Sequence, residues 1–558
     1  MAEISFVPSV GRQMVLILTL RWQLFRNSLL TLWGRLEAAA LAVIVLFWGF
    51  LALGSGAVFA VGAFAAVGHQ RPEYLLVLTW AVFLFWQLFP LLGLIVPITG
   101  GFDFAALVRF PLRFSTFFLL SITYGLCEPV AIVAVFWLAC VTTGIAAAQA
   151  GMLGWAGAVL TIFGAVNVLL SRVVFSWLER WTAQRRGPEV LLMVSMLLAL
   201  GVPLLGRIAV SAATGPMTGR WASRISHLAS LLQPIVHLLP PGWSARALAA
   251  AVTGNSMQAA SALAFLTAFG LVLACLLIIR LRTQYRGEDV SKTPTATVTP
   301  RERVGRPGWE WGKLSGPVVA VLGKEVRYFL RNRMRLLSLL TALILPVYFG
   351  LSTRVPGTYP WSLIPPTDLV FPMTAALSVM GQTNWAYNSF GFDGPGVQLF
   401  FVAPITFRDV MIAKSVAHAL ASMTGVGLTW VGVSLLFGPP SRAVLVPTLT
   451  GLLFLLFMNL AAANVLSIWF PRRLEFGSFR GQRTSWASAL VYLTVNLLLS
   501  GIAVGIFLVT RHAGQLWLAA SLFLVLSAPA ALAYVATLHL SSKIALNRRA
   551  IFVAELCR

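Results

Sequence analysis

Residues 38–65 read AAALAVIVLFWGFLALGSGAVFAVGAFA and contain no charged side chain. A helix that crosses the hydrocarbon core of a bilayer needs about 20 such residues. Similar runs recur on both sides of a polar stretch at 282–312, which is rich in Thr, Pro and charge and is typical of a linker. The sequence therefore predicts twelve transmembrane helices, at 38–65, 74–98, 118–146, 152–175, 189–211, 257–281, 335–353, 365–388, 411–437, 443–470, 485–509 and 514–540.

The composition excludes several other classes of protein. Of 558 residues, 58% are hydrophobic and only 10% are charged, against about 25% in a soluble domain. The mean hydropathy is +0.85, more apolar than a soluble enzyme or a disordered chain tolerates. Four cysteines without a CxxC pair or a Cys/His cluster predict neither a disulfide framework nor a metal site. The N-terminus lacks the pattern of a signal peptide, so we expect it to be mature and cytoplasmic.

The net charge of +24 is accounted for by membrane topology. In a soluble chain such an excess would indicate a nucleic-acid partner. Membrane proteins instead concentrate Lys and Arg in their cytoplasmic loops. With the N-terminus inside, 33 of the 41 Lys and Arg residues fall in cytoplasmic segments and 8 fall outside. This split predicts that both termini are cytoplasmic, and it removes the need for a nucleic-acid partner.

The two halves of the chain resemble each other at matched topological positions. Six helices per half place both halves in the same orientation, so the repeat is predicted to be parallel. The predicted fold is an all-α polytopic membrane protein with two six-helix halves, 1–281 and 313–558, joined by the cytoplasmic linker 282–312. The matched residues, at offsets between 290 and 305, are Arg26-Asn27 with Arg331-Asn332, Phe102-Asp103 with Phe392-Asp393, Pro111 and Phe114 with Pro404 and Phe407, and Arg172 with Arg472.

Each half opens with a basic amphipathic stretch, at 11–37 and at 321–337. Aromatic and aliphatic residues alternate there with Arg and Lys before the first span of the half begins. Such a helix is expected to lie in the headgroup plane, with its cations on the phosphates of membrane lipids. The alternative is that the stretch is the start of the span itself, with arginines that extend to the interface.

The loops after the second and the eighth predicted span are neither typical spans nor typical linkers. They read GGFDFAALVRFPLRFSTFFLL at 100–120 and FGFDGPGVQLFFVAPITFRDVMIAKS at 390–415. Both mix apolar and charged residues, which favours a short helix that docks onto a soluble cytoplasmic partner. The alternative is a solvated connector that rests against the bilayer.

The second loop, with GFDGPG at 391–396 and FFVAPITFRD at 400–409 followed by Lys414, resembles the permease subunits of ABC-2-type exporters. The order of interfacial helix, two spans, loop and four spans also fits fused members of that family. The first loop departs from the pattern, because it lacks the Gly394–Gly396 pair and the Arg408-Asp409 dipeptide. The resemblance therefore does not imply that the two halves couple equally.

The resemblance implies a translocation path driven by separate P-loop ATPase subunits, two per permease unit, in the bacterial cytoplasmic (inner) membrane. The resemblance neither requires nor excludes a second copy of the permease. The chain itself would bind no cofactor, since ATP and Mg would be held by the partner. The resemblance assigns coupling to the segments near 102–116 and 392–410, and to the residues Asp103, Arg109, Arg113, Asp393, Arg408, Asp409 and Lys414.

The sequence contains no site for ATP chemistry of its own. A P-loop needs Gly-x-x-x-x-Gly-Lys-Ser/Thr, whereas Gly312-Lys313 is followed by Leu314 and Gly323-Lys324 by Glu325. The HExxH and GxSxG motifs are also absent. We therefore predict a non-catalytic transport subunit with no catalytic residues and no metal.

Several polar or helix-breaking residues are candidates for the substrate path or a gate. Glu128, in the third predicted span, either contacts substrate or braces the break at Pro129, because an ionised carboxylate in the bilayer must face protein or water. Asn384 and Asn388 either line a cavity or join helices. Pro240 and Pro241 are expected to break a helix near an outer gate.

Two other functions remain open at this point. An ion-coupled secondary transporter with twelve helices also has a parallel repeat, but its usual loop motif is absent, since Phe104 follows Asp103. A membrane-embedded enzyme acting on lipid would need clustered His, Asp or Glu, and the six histidines are scattered. The sequence does not identify the solute.

Overall fold

The computed structural model is predominantly helical in the residues it describes, in which no strand occurs. The chain divides into two compact units, which consist mainly of Met1–Ala296 and Thr297–Arg558. The structure describes residues 8–95, 110, 112–182, 236–286, 315–332, 335, 336, 339, 342, 343, 367–473 and 486–557.

The first unit contains eight helices among its described residues. They are α1 Val10–Ser28, α2 Leu32–Gly68, α3 Tyr74–Ile95, α4 Phe114–Leu126, α5 Pro129–Ala148, α6 Leu153–Thr182, α7 Pro240–Val252 and α8 Ser256–Tyr285. Helix α2 packs along α5, and α7 packs against α8 and α6. The core between them is rich in large aromatic side chains, such as Trp80, Trp86, Phe117, Trp137 and Phe163.

The second unit has the same helical character. Its described helices are α9 Gly316–Arg331, α10 Thr367–Ala386, the single turn α11 Leu399–Val402, α12 Phe407–Phe437, α13 Arg442–Trp469, α14 Trp486–His512, α15 Leu516–Asn547 and α16 Arg549–Cys557. The most extensive contact is between α13 and α15, and α12 packs against both α9 and α10.

Eight of the described helices are long and apolar enough to cross a membrane, so the chain is an integral membrane protein. The predicted span at 189–211 and most of the one at 335–353 lie outside the described residues. The eight candidate spans are Gly34–Gly68, Pro129–Ala148, Ala150–Trp177, Ser256–Tyr285, Phe407–Phe437, Arg442–Trp469, Ala487–His512 and Leu516–Asn547.

The third predicted span, 118–146, is divided between two helices at the predicted break. Helix α4 ends at Leu126 and α5 begins at Pro129, with Glu128 in an extended conformation between them. Proline has no N–H to donate and disfavours a helical residue before it, so the break falls at this point. Glu128 therefore lies at the start of a span and not inside one.

Each unit contains a polar contact between two of its own helices, and the two contacts join equivalent pairs of helices. In the first unit, Gln87 of α3 donates to Asn167 Oδ1 of α6 at 3.1 Å. In the second, the hydroxyl of Tyr387, just after α10, donates to Asn459 Oδ1 of α13 at 2.5 Å. Both asparagines also donate to the carbonyl four residues earlier, which satisfies the amide inside the protein. Such hydrogen bonds join helices where water is scarce.

Gly144 offers a test of the packing between α2 and α5. A Cβ atom at Gly144 would overlap the carbonyl oxygen of Ala60, whereas one at Gly157 in α6 would meet open space. We expect Gly144→Ala to lower the free energy of unfolding by about 1–3 kcal/mol through overpacking. The matched control Gly157→Ala is expected to be neutral or stabilising, since alanine is the better helix former. Thermal unfolding in detergent measures both, and equal midpoints would contradict the close approach of α2 and α5.

Candidate functional site

Helix α9 carries a carboxylate on its apolar face. Val318, Val321 and Leu322 of this helix are buried, and Glu325 follows at helical spacing on the same side. The Glu325 residue is only 3% exposed. A buried carboxylate needs a cation or several hydrogen bonds, because its desolvation is costly.

The loop between α10 and α12 supplies a second carboxylate. Gly394 adopts a φ of +48°, in the left-handed region that favours glycine, and begins a short 3-10 helix, Gly394–Gln398. The side chain of Asp393, just before this turn, is 2% exposed. The conformation of the GFDGPG segment thus places an acid inside the protein.

Helix α12 supplies the cation that joins these two acids. Its start is capped by Thr406, whose Oγ1 accepts from the N–H of Asp409 at 3.2 Å. Lys414 lies two turns further along, on a face shared with the buried residues Phe407, Val410 and Met411. Its side chain is 3% exposed.

The Lys414 ammonium is the centre of a buried ionic network. It lies 2.6 Å from Glu325 Oε1 and 2.7 Å from Asp393 Oδ2, and it donates to the Ser389 carbonyl oxygen at 2.8 Å. The contacts with Glu325 and Ser389 are hydrogen bonds, and the contact with Asp393 Oδ2 is a close ion pair. The network connects α9, the loop and α12 through one atom.

Two further cations complete the network. Lys324 pairs with Asp393 and lies 3.4 Å from Glu325 Oε1. Arg335 Nη1 lies 3.9 Å from Glu325 Oε2, and its guanidinium stacks 4.5 Å from the centre of the Phe392 ring. In the described part of the second unit, three cations thus surround two carboxylates.

The charges determine the protonation state of Glu325. Burial raises the pKa of this carboxyl, but the nearby ammonium groups of Lys414 and Lys324 outweigh burial and bring the pKa down to about 2. Glu325 is therefore ionised at neutral pH, and each acid of the network keeps a cation partner. Breaking one member of such a buried network costs far more than removing an exposed ion pair.

An aromatic cluster covers the network on the side of the loop. Phe390 and Phe407 stack with ring centres 5.4 Å apart, and Phe401 stacks on Phe407 at 5.1 Å. Phe552 of α16 packs edge-on against Phe390 at 5.3 Å. The hydrocarbon of these rings excludes water, which strengthens the ionic contacts behind them.

The outer surface of the same loop is apolar and exposed. Pro395, Leu399 and Val402 follow one another at helical spacing, and Leu399 and Val402 are 69% and 74% exposed. Pro404 is exposed as well, and the exposed Arg408 follows on the first turn of α12. We call Pro395, Leu399, Val402 and Pro404 the apolar ridge.

The sequence-predicted coupling residues therefore separate into two groups. Asp393 and Lys414 are brought together inside the protein, where they hold the loop. Arg408 is exposed and Asp409 half-buried at the start of α12, where they are available to a partner. In the first unit, Arg113 is exposed beside α4, while Asp103 and Arg109 lie outside the described residues.

The first unit has a neutral counterpart of the ionic network. Gln13 of α1 is 4% exposed, and its Oε1 accepts from Thr116 Oγ1 at 2.6 Å and from the N–H of Arg113 at 3.2 Å. In both units a buried polar side chain of the opening helix thus reaches the helix after the loop. The contact is uncharged in the first unit and ionic in the second.

Glu128 makes an ion pair at the break between α4 and α5. Its Oε1 lies 2.7 Å from Arg172 Nη2 of α6. A Cβ atom at Gly125 would overlap the Arg172 guanidinium, so the absence of a side chain at this position leaves room for the arginine. The geometry favours the bracing role for Glu128, with an arginine partner that the sequence did not indicate.

The remaining gate candidates have structural contacts. Asn388 Nδ2 donates to the Arg472 carbonyl at 2.9 Å, and Asn388 Oδ1 accepts from the Arg472 N–H at 3.0 Å, so it joins the ends of two helices. Asn384 lies in α10, and its side chain is outside the described residues. Pro240 and Pro241 begin α7, where the Pro241 carbonyl accepts from Thr79 of α3 at 3.1 Å.

The described residues contain no group of three or more His, Cys, Asp or Glu side chains that could hold a metal ion. A cavity beside Lys414, lined also by Ser415, His418 and Asn464, has room for about one water molecule. Comparison of the chain with models of protein families, with curated proteins and with solved structures found no match.

Sequence reasoning missed four residues of the site, namely Lys324, Glu325, Arg335 and Phe552. The sequence did contain a signal for Glu325. It lies three residues after Leu322 and four after Val321, so its charge falls on the apolar face of a helix. Phe552 and Leu556 are also four residues apart, beyond the last predicted span at 514–540. The position of Arg335 gave no such signal.

Removing the central ammonium tests the network. We expect Lys414→Met to lower the free energy of unfolding by about 3–5 kcal/mol, since it leaves Glu325 and Asp393 without their shared partner. The control Lys543→Met removes an exposed lysine of α15 and is expected to have little effect. Unfolding of both purified variants in detergent measures the difference, and equal stabilities would show that Lys414 does not hold the loop.

Acid offers a second test. Because the pKa of Glu325 is lowered from 4.5 to about 2 in the folded protein, its pairing stabilises the fold above pH 4.5. That stabilisation is lost as the pH falls toward 2. The Glu325→Gln variant is expected to be less stable than the wild type at pH 7. Its stability is expected to fall less than that of the wild type between pH 4.5 and pH 2. Unfolding midpoints of both proteins with the same pH dependence would rule out this role.

Proposed function

We propose that the chain is the transmembrane permease subunit of an ATP-binding-cassette exporter of the bacterial cytoplasmic membrane. It forms the translocation path and is coupled to two separate P-loop ATPase subunits, which hold ATP and Mg. The observation that carries the proposal is the combination of an exposed apolar ridge with a buried ionic network directly behind it.

The geometry supports transmission of force from the ridge into the membrane. Helix α12 starts directly after the ridge and continues as a candidate span for 31 residues. At 1.5 Å per residue it is about 46 Å long, whereas the hydrocarbon core is about 30 Å thick. One end of α12 therefore projects beyond the hydrocarbon, and Lys414 fixes that end to α9 and to the loop.

The surface chemistry favours a protein partner over water. Leucine, valine and proline side chains at this exposure gain free energy when a partner covers them. The exposed Arg408 beside them suits a partner surface with acidic groups. In the first unit the corresponding loop lies largely outside the described residues, so the proposal of docking near 102–116 rests on sequence alone.

The alternative function is an ion-coupled secondary transporter. The buried carboxylates of Glu325 and Asp393 are the observation that favours it, since such transporters use buried acids. However, Lys414 holds both carboxylates within 2.7 Å. An acid that exchanges its ion during transport would have to leave this partner, so the ATPase-driven exporter is the stronger proposal.

Affinity purification of the tagged chain from native membranes, followed by mass spectrometry, tests the proposal. A stoichiometric P-loop ATPase is expected to copurify. A chain that remains alone in several mild detergents, and that moves solute in liposomes without ATP, would instead establish the secondary transporter.

Charge reversal next to the ridge gives a residue-level prediction. We expect Arg408→Glu to leave membrane insertion intact and to lower ATPase retention by at least about tenfold, because a like charge then faces the partner. The control Arg442→Glu reverses an exposed arginine at the start of α13. Asp409 is a poorer choice, since its carboxylate accepts a hydrogen bond from the Thr406 hydroxyl and reversal would also remove that bond. If the Arg408→Glu variant retains the ATPase fully, the docking surface does not include Arg408.

A further inference from the structure

Helix α16 covers the inner side of the loop that carries the apolar ridge. Phe552 is 1% exposed and Leu556 is fully buried, both in one core cluster with Phe390, Val397 and Phe407. The helix is separate from α15, which ends at Asn547. Removing α16 would therefore expose the underside of the loop to water.

Polar contacts add to this apolar contact. Gln398 Nε2 donates to Cys557 Sγ at 3.8 Å, and the Arg549 guanidinium lies 5.3 Å from the centre of the Phe401 ring. These contacts reach the 3-10 turn and α11, the two elements that present the ridge. Helix α16 thus touches the loop along its whole helical part.

The first unit repeats this arrangement at a matched position. Tyr285, at the end of α8, packs 5.8 Å from Phe114, and its hydroxyl donates to the Leu112 carbonyl at 2.6 Å. Phe114 is the repeat counterpart of Phe407, which Phe552 contacts at 6.3 Å. In each unit, an aromatic side chain contacts the start of the helix after the loop; it comes from the end of the last span in the first unit and from beyond the last span in the second.

We propose that α16 is a clamp that keeps the ridge rigid, with Phe552 as its positioning residue. The rigid contact itself does not depend on the proposed function. Only its consequence does, namely that the motion of a docked ATPase is transmitted to α12. A loop that yields under the partner would absorb this motion. The rings of Phe390, Phe401 and Phe407 fill the space between the ridge and the ionic network, and Phe552 closes that space from the other side.

The first experiment is amide hydrogen exchange on the purified full chain in detergent, which needs no ATPase. Phe552→Ala is expected to speed exchange at 394–402 by at least about tenfold, because its ring supports the turn from beneath. The control Ile551→Ala changes a neighbour that is 52% exposed, and it is expected to leave this exchange unchanged. Equal exchange in the two variants overturns the clamp.

A conservative variant protects the test against misfolding. Phe552→Leu keeps apolar volume and removes the ring, so it decides the question if Phe552→Ala does not accumulate. Faster exchange confined to 394–402, with α13 and α15 unchanged, supports the clamp. No acceleration at 394–402 overturns it.

The second experiment separates the clamp from the proposed function. The chain is measured with its copurified ATPase, with and without ATP plus orthovanadate. The nucleotide-dependent change in exchange at 407–414 is expected in the wild type and lost in Phe552→Ala, although the ATPase stays bound. A change of wild-type size in the variant overturns the clamp. Faster exchange at 394–402 in the isolated variant supports the clamp even if nucleotide has no effect in either protein. The absence of a nucleotide effect in the wild type would contradict coupling to the ATPase.

Discussion

The buried ammonium of Lys414 is the interaction on which the second unit depends. It holds carboxylates from two separate segments, Glu325 of α9 and Asp393 of the loop, and it belongs to a helix that continues as a candidate span. Charges so deeply buried are retained only when they are paired, since desolvation of an unpaired ion costs several kcal/mol. The pairing therefore fixes the position of the loop relative to α9 and α12, and the other contacts are built around it.

The aromatic cluster and the apolar ridge follow from this constraint. With Asp393 held inside, the turn that begins at Gly394 leads into the segment on which Leu399 and Val402 are exposed. The rings beneath them exclude water from the ions. In the first unit, Gln13 makes the corresponding contact without charge, so the two halves differ where the sequence resemblance is also weakest.

The sequence predicted the helical membrane architecture, because uncharged apolar runs of this length are typical of membrane-spanning helices. It also identified Asp393 and Lys414 through the motif in which they occur. It could not predict that these side chains are buried together, because their partner Glu325 lies 89 positions from Lys414 and periodicity reports only on neighbours along one helix. The break at Glu128 was accessible from Pro129, whereas the pairing of Glu128 with Arg172 is a tertiary contact that local pattern does not contain.

We propose that the apolar ridge contacts an ATPase. The most direct measurement replaces Leu399 by a photo-crosslinking amino acid and identifies the adduct formed in native membranes by mass spectrometry. The matched position is Leu435 of α12, which is 82% exposed near the other end of the helix. We expect a P-loop ATPase attached at position 399 and none at 435. An adduct at 399 that contains only lipid, or a protein without a P-loop, would contradict it.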